Sequence, residues 1–183
     1  MHMPRPALAS LAMLAAIAGC SPAPSQIASG SPERPVVAEV IDGDTILVDF
    51  GASAEPVRLL GVDTPETLDP NRPVQCYGAQ ATVFVEELIP PGTPLRVERD
   101  EQARDHFGRL LLYVFRADDD TFINAALIAQ GYADISVFEP NTAYATTLGE
   151  LHTSALTRGV GLWGVCGSAD LALDPPQPGA GAD

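Results

Sequence analysis

The sequence predicts an α+β domain in which five strands form a small β-barrel and three helices pack against it. The chain has 183 residues, enough for one domain of about 100 to 150 residues with terminal extensions. Its 16 Gly and 17 Pro, with 19% charged residues, are typical of a turn-rich domain and exclude a coiled coil. Runs of β-branched residues near the start give way to helical spacing further along, which predicts a mixed fold.

The first three predicted strands lie at the start of the domain. Residues 36–41 and 45–50 are β-branched runs, and the Asp42-Gly43 dipeptide between them is favoured in tight hairpin turns. A third run covers residues 57–62 and stops before Pro65. We therefore expect three consecutive antiparallel strands.

A helix and two further strands are predicted next. The helix is indicated by four side chains at helical spacing, which are Tyr77, Ala81, Phe84 and Leu88. It should end before Pro90-Pro91. Alternation over residues 95–98 and a continuous apolar run over residues 110–115 predict strands four and five, which a polar loop connects.

Two more helices complete the predicted order, βββαββαα. Apolar residues lie on one side of a helix over residues 122–130, and Gly131 is placed to end it. A second stripe over residues 144–155 precedes Gly159. A meander followed by two strands and few helices is compatible with a closed barrel of the OB-fold type, because closure removes exposed strand edges.

The N-terminal residues predict export. Residues 1–19 read as a signal peptide, since the apolar stretch over residues 7–18 is too short to span a bilayer. Its end, Ala18-Gly19-Cys20, resembles the lipobox of bacterial lipoproteins, in which the Cys is lipidated. An ordinary signal peptide with a chance Cys is the alternative. We expect an exported lipoprotein, anchored on the periplasmic or cell-surface face of a membrane through its lipid alone.

The composition predicts where folding is confined. Residues 20–35 are rich in Pro, Ser, Ala and Gly and read as the lipid-anchor Cys with a flexible tether. Residues 168–183 read as a disordered acidic tail. The folded domain is therefore predicted over residues 36–167, and we expect it to be a monomer.

The charge balance restricts the kind of partner. All ten basic residues are Arg, against 24 acidic residues, for a formal net charge of −14. This excludes a protein that grips nucleic acid through a broad basic surface, because such binding grows with the number of phosphates neutralised. A polyanionic partner must be handled locally, by a few cations or a bound metal.

Three cysteines need an assignment. If Cys20 carries lipid, Cys76 and Cys166 remain as an even pair in an exported protein, and we expect them to form a disulfide. Two free thiols, or half of a metal site, are the alternatives, although no His or Cys lies nearby at ligand spacing.

The charged residues have plain interpretations when each is taken alone. Asp44 can be a solvated turn residue, and Asp63 can cap a turn or helix, with Glu66 three residues on. Arg58 lies in a strand and would be costly to bury without an anionic partner, so it faces solvent or serves a site. A surface salt bridge to Asp105 would account for Arg109.

Taken together, these residues resemble one family in identity, order and spacing. The motifs are Ile41-Asp42-Gly43-Asp44-Thr45, Arg58-Leu59-Leu60-Gly61-Val62-Asp63-Thr64-Pro65-Glu66-Thr67, Tyr77-Gly78 and Asp105-His106-Phe107-Gly108-Arg109. The chain resembles the staphylococcal nuclease-like (thermonuclease) family over about residues 36–166. The resemblance implies an OB-fold enzyme that hydrolyses phosphodiester bonds of DNA, RNA or both with the help of Ca²⁺.

The resemblance also implies roles for particular residues. Asp44 and Asp63 would be side-chain ligands of the ion, and the backbone carbonyl of Thr64 a further ligand. The catalytic residues would be Arg58, Glu66 and Arg109. The chemistry suits these roles, because Ca²⁺ prefers oxygen ligands and Arg offers paired donors to phosphate oxygens. Glu66 would act as general base or orient the attacking water, and both roles stay open. No Cys/His or Ser/His pair near the motifs supports a covalent mechanism.

The chain departs from the family pattern in the residues expected to contact substrate. His106-Phe107 stands where the family often has a Lys-Tyr pair, so one cation and one hydroxyl are missing. The family's better-known members place Tyr residues after the second helix to pack on a base, whereas Phe138 is the only ring within residues 135–138 here. We assign these three residues, His106, Phe107 and Phe138, to substrate binding. The departures leave a second interpretation open, an OB-fold nucleic-acid-binding lipoprotein with weak or no catalysis.

Overall fold

A computed structural model describes residues 34–67 and 73–173. The predicted signal peptide, Cys20, most of the tether and the end of the acidic tail lie outside the described residues. The strands are β1 (Val36–Asp42), β2 (Thr45–Asp49), β3 (Ala54–Leu59), β4 (Gly61–Asp63), β5 (Leu95–Glu98), β6 (Leu110–Arg116) and β7 (Asp134–Ser136). The helices are α1 (Gly78–Leu88), α2 (Ile123–Ala129), α3 (Ala145–Arg158) and the short α4 (Leu162–Val165). None of these helices has the length and apolar character needed to cross a membrane.

The main sheet has five strands in the order β1-β2-β3-β6-β5. Strands β3 and β6 are parallel, and the other neighbours are antiparallel. The β1–β2 hairpin is confirmed, with Asp42 opposite Thr45, so Gly43 and Asp44 form its two-residue turn. A side chain at position 43 would clash with Thr64, because an added Cβ would lie 2.8 Å from the Thr64 side chain. The turn is therefore packed directly against the segment that follows β4.

The prediction of a closed five-stranded barrel is met only in part. The two ends of the sheet meet through an isolated bridge between Val36 and Pro94 and a few backbone hydrogen bonds, such as Leu95 N–H to the Pro35 carbonyl at 2.7 Å. Within the described ranges, no continuous ladder joins β1 to β5. Pro35 and Pro94 lack an N–H and cannot donate to such a ladder, which limits the pairing at this seam.

The third predicted strand is split into two. β3 stays in the main sheet, whereas β4 pairs with β7, a strand that the sequence analysis did not predict. The chain turns at Gly61, which has a φ of 76° and lies so close to the Leu148 side chain that any Cβ there would clash. The turn returns Asp63, at the end of β4, to the side of Arg58.

Helices cover the sheet and close the core. α1 begins and ends where predicted, but its most buried face is shifted by one residue, since Val85 and Ile89 are fully buried and Phe84 and Leu88 only partly. In α2, the buried Asn124 accepts a hydrogen bond from Val114 N–H at 2.9 Å and donates one to the Leu60 carbonyl at 2.8 Å. This amide fastens α2 to β6 and to the turn between β3 and β4.

The predicted disulfide is present and anchors the C-terminal residues. Cys76, just before α1, is bonded to Cys166, just after α4, with a Cα–Cα distance of 6.1 Å. Beyond it, Ala172 forms an antiparallel bridge with Gln75. The ordered structure therefore continues to Leu173, past the domain end that the sequence predicted at Gly167.

Candidate active site

The predicted metal ligands and catalytic residues lie around one cleft. The cavity has a volume of about 510 Å³. Its lining includes all six predicted residues: Asp44, Arg58, Asp63, Thr64, Glu66 and Arg109. They come from the hairpin turn, β3, the end of β4, the loop after β4 and the start of β6. Side chains spread over 66 positions of the sequence are thus gathered by the sheet and the turn at Gly61.

Arg58 is held from four directions. One terminal nitrogen, Nη2, lies 3.0 Å from Asp44 Oδ2 and 2.9 Å from Asp63 Oδ1. The other, Nη1, donates to the carbonyls of Leu59 at 3.1 Å and Val62 at 2.7 Å. The side chain is 17% exposed, so its burial is compensated by carboxylates, as the strand position requires. The plane of this guanidinium is therefore fixed before any ligand arrives.

Asp44 is fixed in the turn of the hairpin. Its Oδ1 accepts a hydrogen bond from the Thr45 hydroxyl at 3.0 Å, and its Oδ2 accepts one from Thr64 N–H at 3.1 Å. Its backbone carbonyl accepts a hydrogen bond from Leu59 N–H at 2.9 Å. The carboxylate is buried, and its orientation is set by the segments on both sides of the cleft.

Arg109 is oriented by Asp105. Its Nε donates to Asp105 Oδ2 at 2.7 Å, and its Nη1 lies 3.4 Å from the Thr45 hydroxyl. Burial alone would raise the pKa of Asp105, but hydrogen bonds from the side chain and backbone of Arg109, and from Phe107 N–H, lower that pKa overall. Asp105 therefore stays ionised and holds one edge of the guanidinium while Arg109 lines the cleft.

Glu66 reaches the cleft from a loop. Its N–H donates to Gln75 Oε1 at 2.6 Å, and Gln75 N–H donates to the Glu66 carbonyl at 2.8 Å. The Glu66 carboxylate accepts a hydrogen bond from Thr67 N–H at 2.9 Å. The position of Glu66 is thus set largely by hydrogen bonds to its main chain.

The sequence analysis missed Asp42, which also lines the cleft. Its Oδ1 accepts hydrogen bonds from Gly43 N–H at 2.8 Å, the Thr67 hydroxyl at 3.0 Å and the Thr82 hydroxyl at 3.2 Å. Burial raises the pKa of Asp42, and the negative charge of Asp44 adds to the rise, while these hydrogen bonds offset part of it. Asp42 lies in the same five-residue motif as Asp44, which could have indicated a place in the site. We interpreted it only as a turn residue.

The three predicted substrate-binding residues do not share one surface. Phe107 lines the acidic cleft and is 72% exposed. His106 and Phe138 instead line a second cavity of about 290 Å³, to which Arg58 and Arg109 also contribute. Phe138 is 74% exposed at the rim of that cavity. The two arginines therefore separate an acidic cleft from a more apolar pocket.

The acidic cleft fits a hard divalent cation. Its lining contains four carboxylates, those of Asp42, Asp44, Asp63 and Glu66, against two guanidinium groups. The Thr64 hydroxyl oxygen is buried and makes no hydrogen bond within the described ranges. Oxygen donors of these kinds are the ligands that Ca²⁺ prefers. The described residues contain no cluster of three His, Cys, Asp or Glu side chains arranged to hold a metal by themselves, so backbone, water or substrate oxygens would complete such a site.

Comparison with known proteins agrees with this geometry. Residues 56–165 match the family model described as Staphylococcal nuclease homologue. The chain is 37% identical over 131 residues to a thermonuclease of Staphylococcus intermedius, covering 72% of this chain and 76% of that protein. A thermonuclease of Staphylococcus hyicus is 36% identical over 127 residues, covering 69% and 73%. Endonuclease YncB of Bacillus subtilis is 44% identical over 106 residues, covering 57% of this chain and 49% of that protein.

Proposed function

The chain belongs to the staphylococcal nuclease homologue family and is a phosphodiester hydrolase, and we propose that it is a Ca²⁺-dependent nuclease acting on DNA, RNA or both outside the cytoplasm. The observation that carries the proposal is the single guanidinium of Arg58 between Asp44 and Asp63, in a cleft shared with Arg109 and Glu66. The matching relatives are named thermonuclease and endonuclease, which supports the same reaction here.

The two arginines are suited to stabilising charge on a phosphodiester. A phosphodiester is anionic and repels an incoming hydroxide, and negative charge accumulates on its oxygens in the transition state. Arg58 and Arg109 line both cavities, so a substrate lying across them would meet two guanidinium groups. Both are anchored through carboxylates, and donors held in place in advance need little reorganisation during the reaction.

Glu66 is the residue that we propose to act on the attacking water. It lines the same cleft as both arginines, and a carboxylate within reach of a water can accept its proton or orient it. The described residues offer no competing His in this cleft, since His106 lines the second cavity.

Asp44 and Asp63 would hold the calcium ion, with the Thr64 backbone carbonyl as a third ligand. When bound, the ion would supply positive charge near the phosphate oxygens and lower the pKa of a coordinated water. The excess of carboxylates over guanidinium groups in the cleft supports this assignment. The hydrogen bonds of Asp44 and Arg58 join the hairpin turn to β3 and β4. They would therefore hold the two sides of the cleft together whether or not the ion is present.

Exposed rings would supply the contacts to bases. Phe138 at the rim of the second cavity and Phe107 beside the acidic cleft each present most of their surface to solvent. Stacking of a base on an aromatic side chain contributes about 1 to 3 kcal/mol. Such contacts do not depend on a basic surface, which this chain lacks.

We also propose that the enzyme is a monomeric lipoprotein, anchored through Cys20 on an exported face of the membrane. The disulfide between Cys76 and Cys166 supports an oxidising compartment. Cell fractionation of the native chain and of Cys20→Ser tests the anchor. The native chain should stay with the membrane fraction and the variant should be released, whereas equal retention would overturn the lipid attachment.

Cleavage of single-stranded DNA by the purified chain, in Ca²⁺ or in a chelator, tests the activity. The proposal predicts cleavage only with Ca²⁺, and a large loss in Glu66→Ala. The matched control is Glu86→Ala on the exposed face of α1, which should cleave like the native chain. Retention of DNA without cleavage would instead support the nucleic-acid-binding lipoprotein, and cleavage at full rate in chelator would overturn the metal dependence.

A further inference from the structure

Glu66 lies in a segment that has no regular secondary structure of its own. Residues 64–66 follow β4, and neither a strand nor a helix includes them. A catalytic group on such a segment needs hydrogen bonds from elsewhere to keep its position, since small displacements reduce the rate strongly. The question is which part of the molecule supplies those bonds to Glu66.

Gln75 makes the main contacts to the backbone of Glu66. The Glu66 N–H donates to Gln75 Oε1 at 2.6 Å, and Gln75 N–H donates to the Glu66 carbonyl at 2.8 Å. Gln75 is 8% exposed, so water competes little for its hydrogen bonds with Glu66. The pair fixes both the N–H and the C=O of the residue whose side chain enters the cleft.

The C-terminal residues hold Gln75 in turn. Cys76 N–H donates to the Leu171 carbonyl at 2.7 Å, and Leu173 N–H donates to the Val74 carbonyl at 2.8 Å, so the two segments pair on both sides of Gln75. The Gln75 side-chain amide lies 3.5 Å from Asp170 Oδ1. The disulfide at the next residue, Cys76, ties the same segment to Cys166.

We infer that Gln75 is a positioning residue for Glu66, and that the C-terminal segment 170–173 belongs to the apparatus that keeps Glu66 in the cleft. The inference rests on the proposed role of Glu66 in the reaction. It assigns a function to residues that composition alone places in a disordered tail. Gln75 also lines the cleft, but its side-chain oxygen accepts the Glu66 N–H, so we expect it to act through Glu66.

Three variants of the full chain test the inference: Gln75→Met, Glu66→Ala and the double variant. Gln75→Met keeps the length and volume of the side chain but removes the acceptor. Its kcat for single-stranded DNA cleavage in Ca²⁺ should fall about 10- to 100-fold, as expected for a displaced catalytic group, with KM little changed. In the Glu66→Ala background the same substitution should cause no further loss, because nothing remains to be positioned.

Three further variants separate positioning from a general loss of structure. Gln80→Met makes the same change on the exposed face of α1 and should leave kcat unchanged. Gln75→Glu retains an acceptor for the Glu66 N–H and should keep more activity than Gln75→Met. In the full chain, Asp170→Ala removes the contact to the Gln75 side-chain amide, and its kcat should be lower than that of the native chain.

The outcomes distinguish this inference from the proposed function. If Glu66→Ala cleaves at the native rate, the proposed role of Glu66 is wrong and the inference falls with it. If Glu66→Ala is impaired but Gln75→Met is not, only the inference is overturned. If Gln75→Met lowers kcat by the same factor in the Glu66→Ala background as in the native chain, Gln75 supports the fold in general. That result also overturns the inference.

Discussion

The same chemical unit, one arginine between two carboxylates, occurs in two regions of this molecule. In the cleft, Arg58 contacts Asp44 and Asp63. On β5, Arg96 contacts Glu98 and Asp120, the latter at 2.8 Å. The Arg58 and Asp44 side chains are 17% and 11% exposed, against 40% and 38% for Arg96 and Glu98. The second carboxylate is exposed in both units, Asp63 at 61% and Asp120 at 70%. The two units have the same kind of ionic contacts, but their arginines differ in exposure to solvent.

That difference indicates which of the two units has a functional use. The β5 unit sits in solvent, where water and salt screen its charges, and such pairs contribute little to stability. In the cleft unit Arg58 and Asp44 are largely withdrawn from water, while Asp63 is 61% exposed. Two carbonyls add contacts to the guanidinium, and two further carboxylates, Asp42 and Glu66, line the same cleft. With four carboxylates against two guanidinium groups, the cleft carries an excess of negative charge that a cation or a reaction can make use of.

The greatest loss of activity is expected when the arginine of the cleft unit is removed, and almost none when the arginine of the β5 unit is removed. Arg58→Ala should lower kcat/KM for single-stranded DNA by about 10²- to 10³-fold, as for loss of one preorganised donor to a developing anion. Arg96→Ala should leave kcat/KM close to the native value, because it contacts neither cavity. Steady-state kinetics in saturating Ca²⁺ measures both. Equal losses in the two variants would remove the distinction between the regions.

A smaller loss is expected from the residue that orients the second arginine. Asp105→Asn keeps the shape of the side chain but replaces the ion pair with Arg109 by a neutral contact. We expect kcat to fall about 10-fold through misplacement of the guanidinium, short of the loss in Arg109→Ala. Asp119→Asn, which weakens the exposed pair with Arg116, is the matched control and should cleave normally. An unchanged kcat in Asp105→Asn would mean that Arg109 needs no such support.

The pH dependence of stability tests the same ion pair. Asp105 has a pKa below its ordinary value, so it contributes stability that is present above the unfolded-state pKa and is lost as the pH falls through the folded-state pKa. The difference in Tm between the native chain and Asp105→Asn should therefore be constant near neutral pH and shrink only in strongly acidic solution. Thermal unfolding between about pH 7 and pH 2 measures it, given that ordinary aspartates titrate near pH 3.9. A difference that disappears well above that pH would contradict the lowered pKa.

The smallest effect concerns salt. Because the chain carries a formal charge of −14, long-range repulsion should oppose the approach of nucleic acid, and added salt screens that repulsion more than contacts within the cleft. We expect kcat/KM to rise modestly on going from low to about 0.15 M NaCl, where the Debye length is about 8 Å. A steep, monotonic fall in kcat/KM with NaCl would indicate a binding surface dominated by phosphate contacts.

Much of the site was predictable because its residues lie in short motifs. Taken alone, Asp44 and Arg58 had plain interpretations, and the resemblance of their motifs to one family assigned them to a site. The folded chain brings both to one cleft with Asp63, Glu66 and Arg109. Helices α1 and α3 were predictable from periodicity and from the residues that end them. Local pattern is informative where a motif carries both the backbone conformation and the side chains.

The remaining features depend on contacts between residues distant in the sequence. The third strand is split because residues 61–63 pair with β7 after the turn at Gly61, and no local signal records that pairing. The C-terminal residues include a Pro/Gly-rich run at 175–179 and end in Asp183, so composition favoured disorder from residue 168 on. Residues 171–173 instead pair with residues 74–76. Closure of the sheet is incomplete because Pro35 and Pro94, which lie where β1 and β5 meet, cannot donate backbone hydrogen bonds. Only the folded chain shows that these two residues lie on opposite sides of that seam.

Calorimetric titration with Ca²⁺ decides whether the acidic cleft, and not the exposed unit on β5, binds the cation. The three proteins to compare are the native chain, the cleft variant Asp44→Asn with Asp63→Asn, and the surface variant Glu98→Gln with Asp120→Asn. The native chain and the surface variant should bind one ion with similar affinity, and the cleft variant should show no such binding. Native-like Ca²⁺ binding by the cleft variant would contradict the account.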